Sequence, residues 1–258
     1  MPNYHFEVGV VSRGKGHSVA RLANYITGKK LYDVRLDKTF YRQRNDVLFQ
    51  HVFLPIEAPP IFGDLQYLCT AIEKAEIRRD ARTARQFKGS LPNELSLAEN
   101  VALVKAFVEE NFLSCGYAAI VAIHEGKNEA DPSRNNPHLH LIITDRTIGP
   151  KGFDKLKIRI FNDRCFVEIW RKEWAIAQNL AYERAGLDVR VSHESLAKQG
   201  IRDREPTIHL SRVDWQREKQ GIRTPAGDLK RAIKARNEER DRQCIRHQNP
   251  GLELKLSR

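Results

Sequence analysis

An α+β fold followed by a basic helical tail is predicted by three features of this 258-residue chain. Apolar runs with strand character alternate with segments whose apolar residues recur at helical spacing. Two of the strands, residues 117–124 and 138–143, are joined by a stretch rich in Asn, Asp, Gly and Pro, which reads as the long turn of a hairpin. Beyond residue 210 large apolar residues thin out and basic ones accumulate. The expected division is a domain over 1–210 and a basic, helical extension or linker over 211–258.

The elements follow in order. Tyr4 to Val11 alternates and then turns continuously apolar, as a strand does. The Ser12-Arg-Gly-Lys-Gly-His-Ser18 segment suits either a phosphate backbone or a solvated turn; Arg13 and Lys15, with Arg21 just beyond, are candidate DNA contacts. From Ser18 to Gly28 the spacing of Val19, Leu22, Ala23 and Ile26 predicts a short helix, with Tyr25 beside its apolar stripe. A tyrosine so placed is ordinarily a packing residue whose hydroxyl reaches the surface. Residues 29–46 are polar, mixed in charge and assigned no element. Val47 to Leu54 reads as a strand stopped by Pro55, Pro59 and Pro60, and Leu65, Leu68, Ile72 and Ala75 predict a helix from Asp64 to about Arg82.

A strand over Arg85–Leu91 comes next. Ser96 and Glu99 then form a capping-box pattern. The helix they open has a predicted stripe of Leu97, Val101, Val104, Phe107, Val108 and Phe112 and a stop at Gly116. After the histidine-bearing strands, residues 144–164 show no clear pattern but carry Arg146, Lys151 and Lys155, candidate contacts of a flap over a nucleic-acid strand or residues of a solvated loop. Phe166–Ala185 is an amphipathic helix expected to bury Ile169, Trp170, Trp174, Ala177 and Leu180, its tryptophans as core rather than as stacking platforms. An extended Pro206–Leu210 closes the domain. From Arg212 to Arg246 stand 11 Arg or Lys against 6 Asp or Glu, and charge alone favours a solvated helix over a DNA-contacting tail.

Forty-four basic against 33 acidic residues give a net charge of +11. Such an excess favours a polyanionic partner, nucleic acid before an anionic membrane surface, because no basic helix has a strong apolar opposite face. No apolar run approaches the length of a membrane span and no signal peptide is evident. Cys69, Cys115, Cys165 and Cys244 are scattered without a C-x-x-C pair, which suggests reduced, mostly buried thiols and a cytoplasmic setting.

The chemistry concentrates at His138-Leu139-His140. Alternation along a strand puts both histidines on one face and Leu139 on the other. If the pairing is antiparallel, His124 ends one strand where His138 and His140 begin the next, and three imidazoles meet. Neutral imidazole is a common ligand of divalent metals, and three leave coordination positions open for a substrate oxygen. A His-x-His pair beside apolar residues is equally compatible with two satisfied, partly buried side chains. A cupin-type oxygenase also begins with His-x-His but is an all-β chain, unlike this one.

Several short motifs in one order resemble the MobA/MobL family of relaxases, the nickases of plasmid transfer. They are Tyr4-His5-Phe6, Ser12-Arg13-Gly14, Ala23-Asn24-Tyr25-Ile26, Leu91-Pro92-x-Glu94-Leu95, Ala122-Ile123-His124, Asn136-Pro137-His138-Leu139-His140-Leu141, the Trp170 and Trp174 helix with Ala185-Gly186-Leu187, and Pro206-Thr207-Ile208-His209-Leu210. Arg231-Ala232-Ile233-x-Ala235-Arg236-Asn237 resembles the segment that follows the nickase domain in longer members. The resemblance implies a central antiparallel sheet flanked by helices. It implies a divalent metal, Mg²⁺ or Mn²⁺, held by His124, His138 and His140, and it selects Tyr25 as nucleophile, giving a 5′-phosphotyrosine and a free 3′-hydroxyl. Its implied partners are single-stranded DNA at a transfer origin, accessory relaxosome proteins and a type IV secretion coupling protein.

One departure stands out. Gln86 and Lys88 occupy positions where related sequences commonly carry glutamates, leaving Glu94 and Glu125 as possible substitutes. A degenerate relaxase that binds without nicking, a structural-metal DNA-binding protein and a rolling-circle replication initiator are the alternatives.

Overall fold

The computed structural model describes residues 4–129 and 135–248. The middle of the turn between the histidine strands and the end of the predicted tail, residues 249–258, lie outside the described residues. The chain divides into two compact units, Met1–His193 and Glu194–Arg258, with the division upstream of the expected one at 210/211.

The first unit is built on five strands, β1 (Phe6–Ser12), β4 (Val47–Phe53), β5 (Arg82–Ser90), β6 (Ala119–His124) and β7 (His138–Thr144), in the order β1-β5-β7-β6-β4. Every neighbouring pair is antiparallel, so the α+β reading with a central antiparallel sheet holds. Two further hairpins, β2 (Leu31–Asp33) with β3 (Lys38–Phe40) and β8 (Ile148–Gly149) with β9 (Gly152–Phe153), occupy segments to which sequence patterning assigned no element. Strands of two or three residues are too short to show a period.

Helices cover both faces. One face packs against α3 (Leu97–Val108) and α4 (Cys165–Arg184) through Phe6, Phe87, Leu139, Leu141 and Ile143 with Phe107, Trp170 and Trp174. Both tryptophans are core, as expected. The other face packs Val11, Ala84, Ile120, Ala122 and Ile142 against α1 (Val19–Thr27) and α2 (Leu65–Ala75) through Val19, Ile26, Leu68 and Ile72.

Several expectations are corrected. Helix α2 stops at Ala75 instead of running to about Arg82. The chain beyond it is held by Arg13, whose guanidinium donates to the carbonyls of Glu73, Glu76 and Arg78. Helix α3 has the predicted capping box, but Leu97 faces solvent and Leu103 takes the core position; a single π-type turn, Glu109–Leu113, then shifts the phase before Gly116. Ile169 and Leu180 are exposed on α4, since only the narrow stripe through Trp170, Trp174 and Gln178 meets the sheet side. Cys69 is buried, whereas Cys115 and Cys165 are exposed thiols.

In the second unit, α5 (Arg212–Lys219) is capped by the Ser211 hydroxyl, which accepts from the Asp214 amide at 3.1 Å, and α6 is Pro225–Gln248. Thr224 turns the chain between them, its amide and hydroxyl donating to Glu218 at 2.6 and 2.9 Å. Buried Asn237 bonds both backbone groups of Glu205, and Arg236 and Arg240 pair with Glu205 and Asp203. The basic tail is therefore a helix pair with internal structure rather than one solvated helix.

Candidate metal centre and nucleophile

The register of β6 and β7 sets His124 opposite His138 and Ala122 opposite His140, which puts three imidazoles on the α1 face. Ring centroids are 5.3 Å apart for His124–His138, 4.4 Å for His124–His140 and 5.0 Å for His138–His140. One ligand atom from each lies within 4.8 Å of the others. Hydrogen bonds fix two tautomers. Nε2 of His124 lies 2.7 Å from the Ile26 carbonyl oxygen, which can only accept, so the proton sits there and the Nδ1 lone pair is left. That Nδ1 is buried and has no partner among the described residues. Nδ1 of His138 likewise donates to the Asn136 carbonyl at 2.7 Å, leaving its Nε2 lone pair.

Burial lowers the pKa of His124, and burial followed by the neighbouring His124 and His138 brings His140 down to about 2. All these causes favour the neutral form that a metal needs. An unsatisfied lone pair costs free energy inside a fold, and a divalent cation among the three rings would satisfy it; the donor set therefore fits such an ion. Among the described residues no carboxylate completes the cluster.

Helix α1 brings Tyr25 to this cluster. Ser18 caps the helix, accepting from the Arg21 amide at 3.0 Å and donating to Asp33, and Gly28 ends it with φ +70°. The buried stripe is Val19, Ala20, Ala23 and Ile26, leaving Tyr25 38% exposed. Its ring meets the His140 ring edge-on, with centroids 5.9 Å apart and planes at 90°. Because His124 bonds the carbonyl of Ile26, the turn of helix that bears the tyrosine is tied to the histidine cluster.

Three residues passed over in the sequence stand beside Tyr25. The Arg42 and Arg44 guanidinium carbons lie 5.3 and 4.9 Å from its ring centroid. Arg44 forks onto Asp46, Nε to Oδ1 at 2.8 Å and Nη2 to Oδ2 at 2.5 Å, and donates from Nη1 to the Tyr25 carbonyl at 3.0 Å. The Arg44 hydrogen bond holds the Asp46 carboxyl at about 2. The signal available was the i, i+2 spacing in Arg42-Gln-Arg44-Asn-Asp46, which puts all three on one side of an extended segment.

The basic residues divide. Arg13 was expected on DNA, but its side chain is 8% exposed and pairs with buried Glu73 at 2.7 Å; it holds α2 in place. Arg146 is corrected likewise: its side chain is 16% exposed, pairs with Glu76 at 2.8 Å and donates to the carbonyls of Asp154 and Lys155. Lys15 and Arg21 are exposed, Arg21 in a cleft of about 560 Å³ that it shares with Tyr25, Tyr41 and Arg42. Lys151 and Lys155 are exposed after the opposite end of β7. Lys155 lines a cleft of about 690 Å³ with Arg78, Arg82 and Arg159. Six steps along β7, at about 3.3 Å each, separate the two ends of the sheet by about 20 Å.

Lys88 is the register partner of His140 and its Nζ lies 3.4 Å from Glu7 on β1. Gln86 lies under Gly9 and lines the Tyr25 cleft. Glu94 accepts from the Tyr182 hydroxyl at 3.3 Å, and the Glu125 amide donates to the Asp46 carbonyl at 2.8 Å.

Fold and site define a class: an antiparallel α+β domain with a three-imidazole cluster beside an exposed tyrosine. The chain belongs to the MobA/MobL family, whose model matches residues 17–220. It is 31% identical over 252 residues to a probable mobilization protein MobA of Bifidobacterium longum, covering 81% of this chain and 43% of that protein. It is 30% identical to the conjugal transfer protein TraA of Agrobacterium fabrum, covering 98% of this chain and 25% of that one. A solved structure concerning the molecular basis of vancomycin resistance transfer in Staphylococcus aureus superposes with a TM-score of 0.67 at 28% identity, over 74% of this chain and 98% of that one. The chain thus spans less than half the length of either relative. Among the described residues no helix is long and apolar enough to cross a membrane.

Proposed function

We propose that this chain is a relaxase domain that nicks one DNA strand at a transfer origin. The observation that carries this reading is the exposed ring of Tyr25 set against His140 of a buried three-imidazole cluster. Tyr25 is the nucleophile. Its Oη bonds to the scissile phosphorus, the P–O3′ bond breaks, the 3′-oxygen takes up a proton, and the phenolic proton passes to water at this solvent-open position. Because one phosphodiester replaces another, attack by the 3′-hydroxyl reverses the step and rejoins the strand without a nucleotide cofactor.

His124, His138 and His140 would hold a divalent ion, which supplies neutralisation of the charge developing on the phosphate oxygens. Three imidazole donors suit a first-row transition ion better than Mg²⁺, which takes oxygen. Lys15 and Arg21 stand near the nucleophile's helix; Lys151 and Lys155 lie beyond the far end of the sheet and would take the backbone of flanking DNA. Lys88 opposite His140 favours a second reading, a relative that binds DNA without nicking.

The deciding experiment uses a single-stranded oligonucleotide spanning the transfer origin of the replicon that encodes the chain, with Mn²⁺ or Mg²⁺. A covalent protein–DNA adduct containing the 3′-side fragment, abolished by chelator, is expected. Tight binding with no adduct in either ion would give the second reading the lead.

A further inference from the structure

We propose that Arg44, held by Asp46, is a positioning residue for Tyr25, and that Arg42 and Arg44 receive the phosphoryl group Tyr25 takes up. The inference rests on reading Tyr25 as the nucleophile. Helix packing alone leaves that ring half free, since the buried stripe of α1 runs through Val19, Ala20, Ala23 and Ile26. What meets the ring is the edge of His140 and the two guanidinium groups.

Arg44 is itself immobilised. Asp46 takes two of its donors in a fork and the Tyr25 carbonyl takes a third. Asp46 is fixed in turn, because its carbonyl accepts from the amide of Glu125, the residue after His124. The tyrosine is therefore referenced to the end of β6 twice, through His124 to the Ile26 carbonyl and through Glu125, Asp46 and Arg44 to the ring. Two such ties hold Oη at a set place relative to the imidazoles, which an in-line displacement requires.

Gly28 makes the approach possible. A Cβ there would lie 3.3 Å from Arg44 Cβ and 3.4 Å from its backbone nitrogen, and φ +70° suits glycine. Arg42 has no acidic partner among the described residues, so its donors are open to an anion. When Oη bonds to phosphorus and the P–O3′ bond breaks, the phosphodiester on Tyr25 keeps one negative charge, and these guanidinium groups are the cations beside it.

The test combines single-turnover adduct formation at saturating origin oligonucleotide with NMR of protein labelled with ¹³C at its tyrosine rings. Arg44→Met should slow adduct formation by about 10²-fold, the scale of a 1 Å misplacement, while oligonucleotide affinity changes by less than about threefold. Arg44→Lys, which keeps the charge but not the fork, should restore little. Asp46→Asn should slow the step less than Arg44→Met, and its result carries the test if Arg44→Met fails to fold. The Tyr25 ring signal, assigned by its loss in Tyr25→Phe, should move in Arg44→Met while the other tyrosine signals stay. A wild-type rate with an unmoved Tyr25 signal overturns the inference and leaves the nickase reading intact. A wild-type protein that forms no adduct overturns the nickase reading instead, and the ring signal alone then decides whether Arg44 positions Tyr25.

Discussion

The two faces of the central sheet use the same strands for different ends. On β7, Leu139, Leu141 and Ile143 point to one side and His138, His140 and Ile142 to the other. The first face is closed by rings: Phe6 stacks on Trp174 at 5.6 Å, Phe107 meets Trp174 edge-on at 4.9 Å, and Phe87 meets Trp170 at 5.1 Å. Gly89 is required beneath them, since a Cβ there would lie 2.9 Å from Trp174. The second face starts apolar under α1 and α2 and becomes polar where Glu7, Lys88 and His140 line up across β1, β5 and β7. One face maximises burial, and the other gives up burial at one end to hold lone pairs and cations. Substitutions on the first should change stability and leave chemistry alone; those at the polar end of the second should do the reverse.

The sharpest separation is Tyr25→Phe. It removes the hydroxyl, which meets Arg44, and keeps the ring contacts with His140, Arg42 and Arg44, so the melting temperature should change little. Adduct formation should disappear, a loss of at least about 10⁴-fold, because the attacking atom is gone. An adduct formed by this variant would move the nucleophile to another tyrosine. Next in size, His138→Ala and His140→Ala should cut adduct formation by about 10³-fold or more while oligonucleotide affinity largely persists, as binding is spread over many basic contacts. His138→Ala/His140→Ala nicking at the wild-type rate would remove the metal site from the mechanism.

The aromatic face should answer differently. Phe107→Ala leaves a cavity against Trp174 and Phe6 and should cost about 3–5 kcal/mol in urea unfolding. Where the protein remains folded, its adduct rate should match wild type. A specific loss of chemistry without loss of stability would mean the two faces are coupled through β7.

Legibility in the sequence followed the same divide. The hairpin and its histidines could be read because a strand's period of two fixes which residues share a face, and His124 entered by counting back through the turn. The tryptophans could be read as core from helical spacing. Tyr25 could not be chosen from pattern at all, since seven tyrosines occur and only the family resemblance singled it out. Arg42, Arg44 and Asp46 escaped because their meaning depends on the short β2–β3 hairpin, which returns the chain to α1. The end of α2 escaped because nothing local ends it: Arg13, sixty residues upstream of Glu73, caps its carbonyls. Long-range hydrogen bonds leave no period to read.

The smallest expected effect tests the basic residues that sequence could not tell apart. Arg146 and Lys155 both read as DNA contacts on one loop. The structure spends the Arg146 guanidinium on Glu76, beside Lys157, which pairs with the same carboxylate at 2.9 Å. Lys155 instead turns its side chain to solvent in the cleft with Arg78, Arg82 and Arg159. Removing Arg146 should therefore act on the fold, leaving Glu76 with one cation where it had two and freeing the Asp154 and Lys155 carbonyls, at a cost of about 1–3 kcal/mol. The slope of log affinity against log salt should stay as it was. Lys155→Ala should leave unfolding unchanged and lower that slope by about 0.7 on single-stranded DNA, or about 0.9 on duplex, the counterion release of one phosphate contact. Lys155→Ala/Arg159→Ala should lower it by about twice as much if both side chains follow one backbone. Measuring the pair on single-stranded and duplex probes shows which form of DNA the far cleft holds. An unchanged slope on both would mean that this cleft faces something other than DNA, and that affinity must come from the Tyr25 end of the sheet or from the second unit.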